Sequence, residues 1–350
     1  MESPMNALKL ERGFALAYAK MREEAAQWWV VVGEHAVALR DLAGDGLLEL
    51  PSQGTATVDS IYPRLEALIG ELSALHSQAF SHVPRGAWLA VGQLHFLAPV
   101  SPAASIYCSA ANYRKQLVEL IVTRGGDPEI DRLPVGERRP VAQRMVEKRS
   151  RQGEPYFFQR PNSCIAPPDG EIHAESGTEE LDWELELGIV IGRRGRHVAR
   201  EDAPNFVAAC LILNDVTDRA LIYRQDFPGA DWLRGKGMPA SMPAGPYLVP
   251  ASVIGEIDAL RLRLSVNGEV MQDELAGDMI LDVPRLIEYL SSRVELRPGD
   301  VIATGTPAGT GAERGRFLQD GDVIRAEIDG LGCQMNKVVF GPGAGPGDRS

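Results

Sequence analysis

An α+β architecture dominated by β-strand is the expectation for this 350-residue chain, and three observations predict it. From residue 155 onward, short β-branched runs alternate with Gly, Pro, Asn and Asp turns: LDWELELGIVIG, ACLILND, LRLRLSVNGEV, DVIATGTP and DVIRAEIDGLGC. Helical periodicity is confined to a few segments, chiefly Ile61 to His76, parts of 114–152, and 282–294. A Pro- and Ser-punctuated stretch at 97–105, LAPVSPAAS, marks a boundary near residue 100. It divides a small N-terminal α+β cap (1–100) from a larger unit (101–340), which suits the length.

Each element follows from its local pattern. Residues 28–50 carry β-branched runs broken by Gly-Glu and Gly-Asp-Gly, as short antiparallel strands do. Ile61 to His76 repeats Leu and Ile at three- and four-residue spacing, an amphipathic helix. RKQLVELIVTRGG starts as a helix and breaks at Gly125-Gly126, and VAQRMVEKRSRQGE resumes the helical pattern. So long a polar excursion suits a mobile lid over 115–152, because Leu117, Leu120 and Ile121 keep helical spacing. Asn267-Gly268 reads as a hairpin turn, and DVPRLIEYLSSRV as a helix with an apolar face. The Gly- and Pro-rich tail, 341–350, is expected to be disordered.

Composition excludes several function classes. Hydrophobic residues at 44% and charged residues at 24% indicate a folded chain. No apolar run approaches the ~18 residues of a membrane span, and the N-terminus lacks the pattern of a signal peptide. The formal charge of −12 opposes binding to a nucleic-acid phosphate backbone. Cys108, Cys164, Cys210 and Cys333 are scattered without metal or disulfide spacing, which suits thiols in a reducing cytoplasm. All six histidines lie within the first 197 residues.

The chemistry-bearing segment is Asp182-Trp183-Glu184-Leu185-Glu186-Leu187. In a strand, Asp182, Glu184 and Glu186 share one face, while Trp183, Leu185, Leu187, Ile189 and Ile191 share the other. Gly188 continues the acidic face and is expected to leave space beside the glutamates. Stacked carboxylates repel one another unless solvent or a cation compensates, so the alternation fits either a solvent-facing edge or a divalent-metal site. By the same repulsion, Glu184→Ala is expected to leave the fold intact or stabilise it. ACLILND brings a further carboxylate, Asp215, to a strand end. Three carboxylates without His or Cys form an oxygen site suited to Mg²⁺ or Mn²⁺, with Ca²⁺ also admitted. No GxSxG, HExxH or phosphate-loop pattern competes.

In order and spacing, these phrases resemble the fumarylacetoacetate hydrolase family. The likeness runs through Ala110, Asn112-Tyr113, Leu181 to Glu186, Asn214-Asp215-Val216, Gly235-Lys236, Gly245-Pro246, Asn267-Gly268-Glu269, Pro298-Gly299-Asp300 and Thr304-Gly305-Thr306-Pro307. The resemblance implies an antiparallel β-roll catalytic domain, a homodimer, a bound Mg²⁺ or Mn²⁺, and a small 2-oxo or 1,3-diketo acid as substrate. By motif position it makes Glu184, Glu186 and Asp215 the metal ligands. Tyr113, Arg219, Gly305 and Thr306 become substrate contacts. It implies C–C hydrolysis of an acylpyruvate or fumarylacetoacetate type in aromatic catabolism. Isomerisation, decarboxylation, dehydration or non-catalytic binding of an oxo acid are the alternatives.

Departures from the family pattern fall at the acid–base position. Many members place His three residues after the Tyr and Glu three further on; here Gln116 precedes Glu119. The amide cannot take a proton near neutral pH. The catalytic set is therefore read as Glu119 for the base, Lys236 for the acid or enolate partner, and Gln116 for orientation, with His173 a distant substitute. Arg160 stands where Lys is frequent, and Ile222 where Gln often follows.

Overall fold

Pairing between distant strands organises the molecule. The computed structural model describes residues 13–22, 24–42, 48–49, 57–78, 80–226 and 229–341. The strand Leu185–Ile191 lies inside a sheet of eleven strands, between Val207–Asn214 and Val301–Ala303. A second sheet of five strands includes the hairpin Arg261–Val266 and Glu269–Leu275, and the pair Val323–Ile328 and Gly332–Phe340. Asn267 and Gly268 both adopt positive φ at the hairpin tip, as the Asn-Gly pair requires. Most pairings are antiparallel; Val301–Ala303 with Ile106–Ser109 is a parallel exception. The mostly-β α+β class expected from the sequence is the observed one.

Every residue of Leu185–Ile191 is buried, because the strand is covered on both faces. Leu185, Leu187, Ile189 and Ile191 join the apolar core shared with Leu262, Leu264, Ile324 and Ile328 of the five-stranded sheet. Burial of each such side chain stabilises the fold by ~1.5–3 kcal/mol. Val190, Leu211 and Leu213 face the other core, with Leu65, Leu68 and Leu72 of the helix Leu65–Ser77. The solvent-facing alternative for the acidic strand is thereby excluded. Gly188 also departs from expectation: a Cβ there would meet Leu213 Cδ1 at 2.8 Å and Leu211 Cδ2 at 3.0 Å. The glycine serves close packing and opens no space beside the glutamates.

The sheet continues across the boundary expected near residue 100. Ala15–Lys20 pairs with Tyr247–Pro250, so the N-terminal strands extend the sheet of the larger unit. The expected helix at 61–76 begins with a tighter turn over Val58–Arg64, which contains Pro63, and becomes α-helical at Leu65. The segment 114–152 holds two principal helices, Arg114–Arg124 and Val135–Gln152. The first ends at Gly125, whose φ of 69° suits a residue without Cβ. Val118 and Val122 of one helix and Ala142 and Val146 of the other are buried. The expected disordered tail lies, apart from Gly341, outside the described residues. Among the described residues, no helix is long and apolar enough to cross a membrane.

Candidate metal and substrate site

Strand register assembles the acids. Leu185 is opposite Asn214, so Glu184 and Asp215 meet just beyond the paired ends. Asp215 N–H donates to the Glu184 carbonyl at 2.8 Å, and Glu184 N–H donates to Asn214 Oδ1 at 3.0 Å. Glu186 follows at the next position on the same face. Carboxylate oxygens of Glu184, Glu186 and Asp215 lie within 4.8 Å of one another, and all three residues are buried.

Three cations from separate segments enclose this centre. Lys236 Nζ donates to Glu184 Oε2 at 2.9 Å, to Thr217 Oγ1 at 2.7 Å, and to Asp215 Oδ2. Arg219 pairs with Glu184 Oε1 and donates through Nε to Asp182 Oδ2 at 2.9 Å. Arg160 pairs with Asp215 Oδ1, and its guanidinium also donates to Ser241 Oγ at 2.5 Å and the Val216 carbonyl at 3.2 Å. Burial alone would raise Asp215, but Lys236 and Arg160 hold it below the usual carboxylate range. Burial likewise favours neutral Lys236, yet Asp215 and Glu184 outweigh it and keep the ammonium charged.

Glu186 is the exception. Its Oε2 accepts from Gly305 N–H at 2.8 Å, and among the described residues no Lys or Arg pairs with it. Burial first, then the charges of Asp215 and Glu184, push its carboxyl well above the ordinary range. A buried carboxyl short of a cation, grouped with two further carboxylates and, among the described residues, with no His or Cys within the ligand group, fits a hard divalent ion. Glu184, Glu186 and Asp215 are the residues that would hold it. The pairings also correct the expectation for Glu184→Ala. Glu184 is one of two carboxylates for each of Lys236 and Arg219, so its removal would leave each cation with half of its compensation, Asp215 and Asp182 respectively, rather than relieve repulsion.

Asp182 leaves the acidic row. The strand is interrupted between Leu181–Asp182 and Leu185–Ile191, and its first part pairs with Thr217–Asp218 instead. Asp182 accepts from the Gly311 and Ala312 amides, at 2.6 and 3.1 Å, as well as from Arg219.

Other expected site residues have defined places. Gly305 spends its N–H on Glu186. Thr306 Oγ1 donates to the Leu185 carbonyl at 2.9 Å and accepts from Gln272 at 2.8 Å. Tyr113 is fully buried, and burial, with the Glu186 charge as a lesser cause, pushes its phenol above the ordinary value. Its neighbour Asn112 donates to the Leu281 and Thr304 carbonyls at 3.0 and 2.9 Å, which ties the start of the Arg114–Arg124 helix to the site loop. Gln116 is buried on that helix. Glu119, one turn on, has both oxygens taken by Arg139 at 2.7 and 2.8 Å. His173 lies in another sheet, beside Glu171 at 3.4 Å. Ile222 is buried against Gly235 and offers no polar group where Gln often stands.

Sequence reasoning did not find Thr217 or Gln272. Thr217 hydroxyl donates to the Asp215 carbonyl at 2.8 Å while accepting from Lys236. Buried Gln272 bridges the Leu185 N–H, Thr306 and the Pro307 carbonyl. Thr217 lies two residues after Asp215, and that proximity was its available signal; nothing local marks Gln272.

A mostly-β fold with three carboxylates at adjoining strand ends defines the class here. Residues 105–339 match the family model described as Fumarylacetoacetate (FAA) hydrolase C-terminal, and the chain belongs to the fumarylacetoacetate hydrolase family. It is 31% identical over 311 residues to oxaloacetate tautomerase FAHD2B, mitochondrial, of Homo sapiens, covering 88% of each chain. It is 37% identical over 188 residues to 2,4-didehydro-3-deoxy-L-rhamnonate hydrolase of Sphingomonas sp. (strain SKA58), covering 53% of this chain and 65% of that one. Among solved structures it resembles maleylpyruvate hydrolase from Sphingobium sp. SYK-6 in complex with manganese(II) and pyruvate. That match has a TM-score of 0.67 and 25% identity over 94% of this chain and 100% of the other.

Proposed function

We propose that this chain is a divalent-metal-dependent enzyme that interconverts the keto and enol forms of a 2-oxo acid. The observation that carries the reading is at the Arg114–Arg124 helix. Gln116 replaces the imidazole that would activate water, and Arg139 binds both oxygens of Glu119. Keto–enol exchange needs a chelated oxo acid and a proton carrier, but no activated water. The human relative, named an oxaloacetate tautomerase, is of this reaction class.

Mg²⁺ or Mn²⁺ held by Glu184, Glu186 and Asp215 would act as a Lewis acid towards the 2-oxo group. Lys236, kept charged by Asp215 and Glu184, places a fixed positive charge beside the centre, where it favours charge developing on the substrate oxygen. Arg219 and Arg160 orient Glu184 and Asp215 for ligation. Gly305 does the same for Glu186. Tyr113 and Thr306 belong to the substrate side of the proposal.

C–C hydrolysis of an acylpyruvate is the second reading, favoured by the likeness to a maleylpyruvate hydrolase along nearly the whole chain. The discriminating experiment loads the full chain with Mn²⁺ and follows oxaloacetate ketonisation by ultraviolet absorbance, with acylpyruvate cleavage in parallel. Faster ketonisation with slow cleavage is expected; brisk cleavage without ketonisation would overturn the first reading. A homodimer and a cytoplasmic location complete the proposal. Sedimentation equilibrium at twice the chain mass tests the first and cell fractionation the second.

A further inference from the structure

The short helix Gly311–Arg314, just past the site loop, packs against the Arg114–Arg124 helix and the Leu181–Asp182 strand. Its Glu313 Oε2 accepts from Gly309 N–H at 2.6 Å, while Oε1 is buried with no hydrogen-bond partner among the described residues. Asp182 and Glu119 lie close enough to act on Glu313, so three acids gather where this short helix meets the Arg114–Arg124 helix. Glu119 is held by Arg139 and Asp182 by Arg219, but among the described residues no Lys or Arg forms an ion pair with Glu313. The arginines flanking it in sequence turn elsewhere: Arg314 to the Met271 carbonyl at 2.5 Å, and Arg316 to Glu269 at 2.7 Å.

We propose that Glu313 is the proton carrier of this site, serving where Gln116 cannot. This rests on the keto–enol reading. In the forward direction the C3–H bond of the 2-oxo acid breaks, its proton passes to the Glu313 carboxylate, its electron pair forms the C2–C3 double bond, and the C2=O π pair moves onto the C2 oxygen. The carboxylic acid then returns the proton to the C2 oxygen, giving the enol; the reverse sequence restores the ketone. No other reactant is consumed.

The environment suits a group that must be both acid and base. Burial raises Glu313 most. The Gly309 N–H opposes that, Asp182 and Glu119 add to it, and Arg219 partly offsets them, leaving the carboxyl at about 7. A carrier near the working pH holds comparable amounts of both protonation states.

Glu313→Gln is the test, because the amide oxygen can still accept from Gly309 while the group no longer titrates. In the Mn²⁺-loaded full chain, oxaloacetate ketonisation should fall by about 10²- to 10⁴-fold, and the pH-rate limb near 7 should vanish. Mn²⁺ affinity, read by calorimetry, should stay within about threefold, since Glu313 contacts none of the three carboxylates. Oxalate binding supplies a readout independent of turnover. Native affinity should weaken as pH rises through about 7, as Glu313 becomes an anion facing an anion, and the variant should lack that dependence. Unchanged rate and pH profile in the variant would overturn the proposal, and so would identical oxalate profiles. A native chain with the oxalate dependence but no ketonisation overturns the reaction assigned to the carrier, while supporting its place at the ligand.

Discussion

Lys236 donates to Glu184 Oε2 at 2.9 Å, so Glu184 enters the carboxylate centre already neutralised, whereas Glu186 does not. The two glutamates share a strand face, yet their substitution should have opposite effects on stability. Glu186→Gln should stabilise the metal-free chain by about 1–2 kcal/mol, because the amide is neutral without the cost of protonating a buried carboxyl, and should abolish tight Mn²⁺ binding. Glu184→Ala should also lose Mn²⁺ but destabilise by about 3–5 kcal/mol, since Lys236 and Arg219 lose their shared partner. Urea unfolding with calorimetric titration separates them; equal destabilisation by both would count against this charge assignment.

Arg160→Lys preserves the charge but not the fork. One ammonium cannot reproduce the planar reach to Asp215, Ser241 and the Val216 carbonyl. A loss of about 1–2 kcal/mol is expected, with weaker Mn²⁺ binding because Asp215 is less well oriented. Unaltered stability and affinity would show that the fork contributes charge alone.

Gln116→His should raise acylpyruvate hydrolysis by about 10- to 1,000-fold by restoring a base near neutral pH. Combining it with Arg139→Leu, which releases Glu119 to orient the new imidazole, should raise it further. Stopped-flow assays of both variants decide. If neither exceeds the native rate, the hydrolytic deficit lies elsewhere than this helix.

Stability should fall between about pH 5 and 8 because of Glu313. Its folded value of about 7 exceeds the ordinary 4.5, so the folded chain keeps a proton that the unfolded chain has released. The associated stability is complete below the unfolded value and is lost as pH rises through the folded one, a span on the order of 3 kcal/mol. Glu313→Gln should remove that part of the slope. Native and variant unfolding free energies that stay parallel across the range would refute it.

The helical segment should act as a lid. Beyond the Asn112 anchor it is tied to the body through Lys115 with Glu274 and Asp278, and through Arg285 with the Ser150 and Gly153 carbonyls. Amide exchange over 115–152 should slow when Mn²⁺ and oxalate bind together, because closure excludes water. Identical exchange with and without ligand would rule out a closing motion.

What the sequence by itself determined follows from period and turn chemistry. Alternation put Glu184 and Glu186 on one strand face, an apolar run delivered Asp215 to a strand end, and Asn267-Gly268 marked its hairpin, since each depends on a few adjacent residues. Family spacing added Arg219 as a substrate contact and Lys236 as an acid or enolate partner, whereas their pairing with the carboxylates came from the fold. Tertiary structure alone decided which cation neutralises which carboxylate, turned Asp182 towards the Gly311 amide, placed Arg139 on Glu119, and left Glu313 Oε1 without a hydrogen-bond partner among the described residues. Burial on both faces of the acidic strand was likewise invisible locally, because its cover comes from the helix Leu65–Ser77 and from a second sheet beyond residue 260. The physical reason is the same throughout. Side-chain direction is a property of the local backbone, whereas electrostatic compensation and burial are properties of segments brought together only when the whole chain folds.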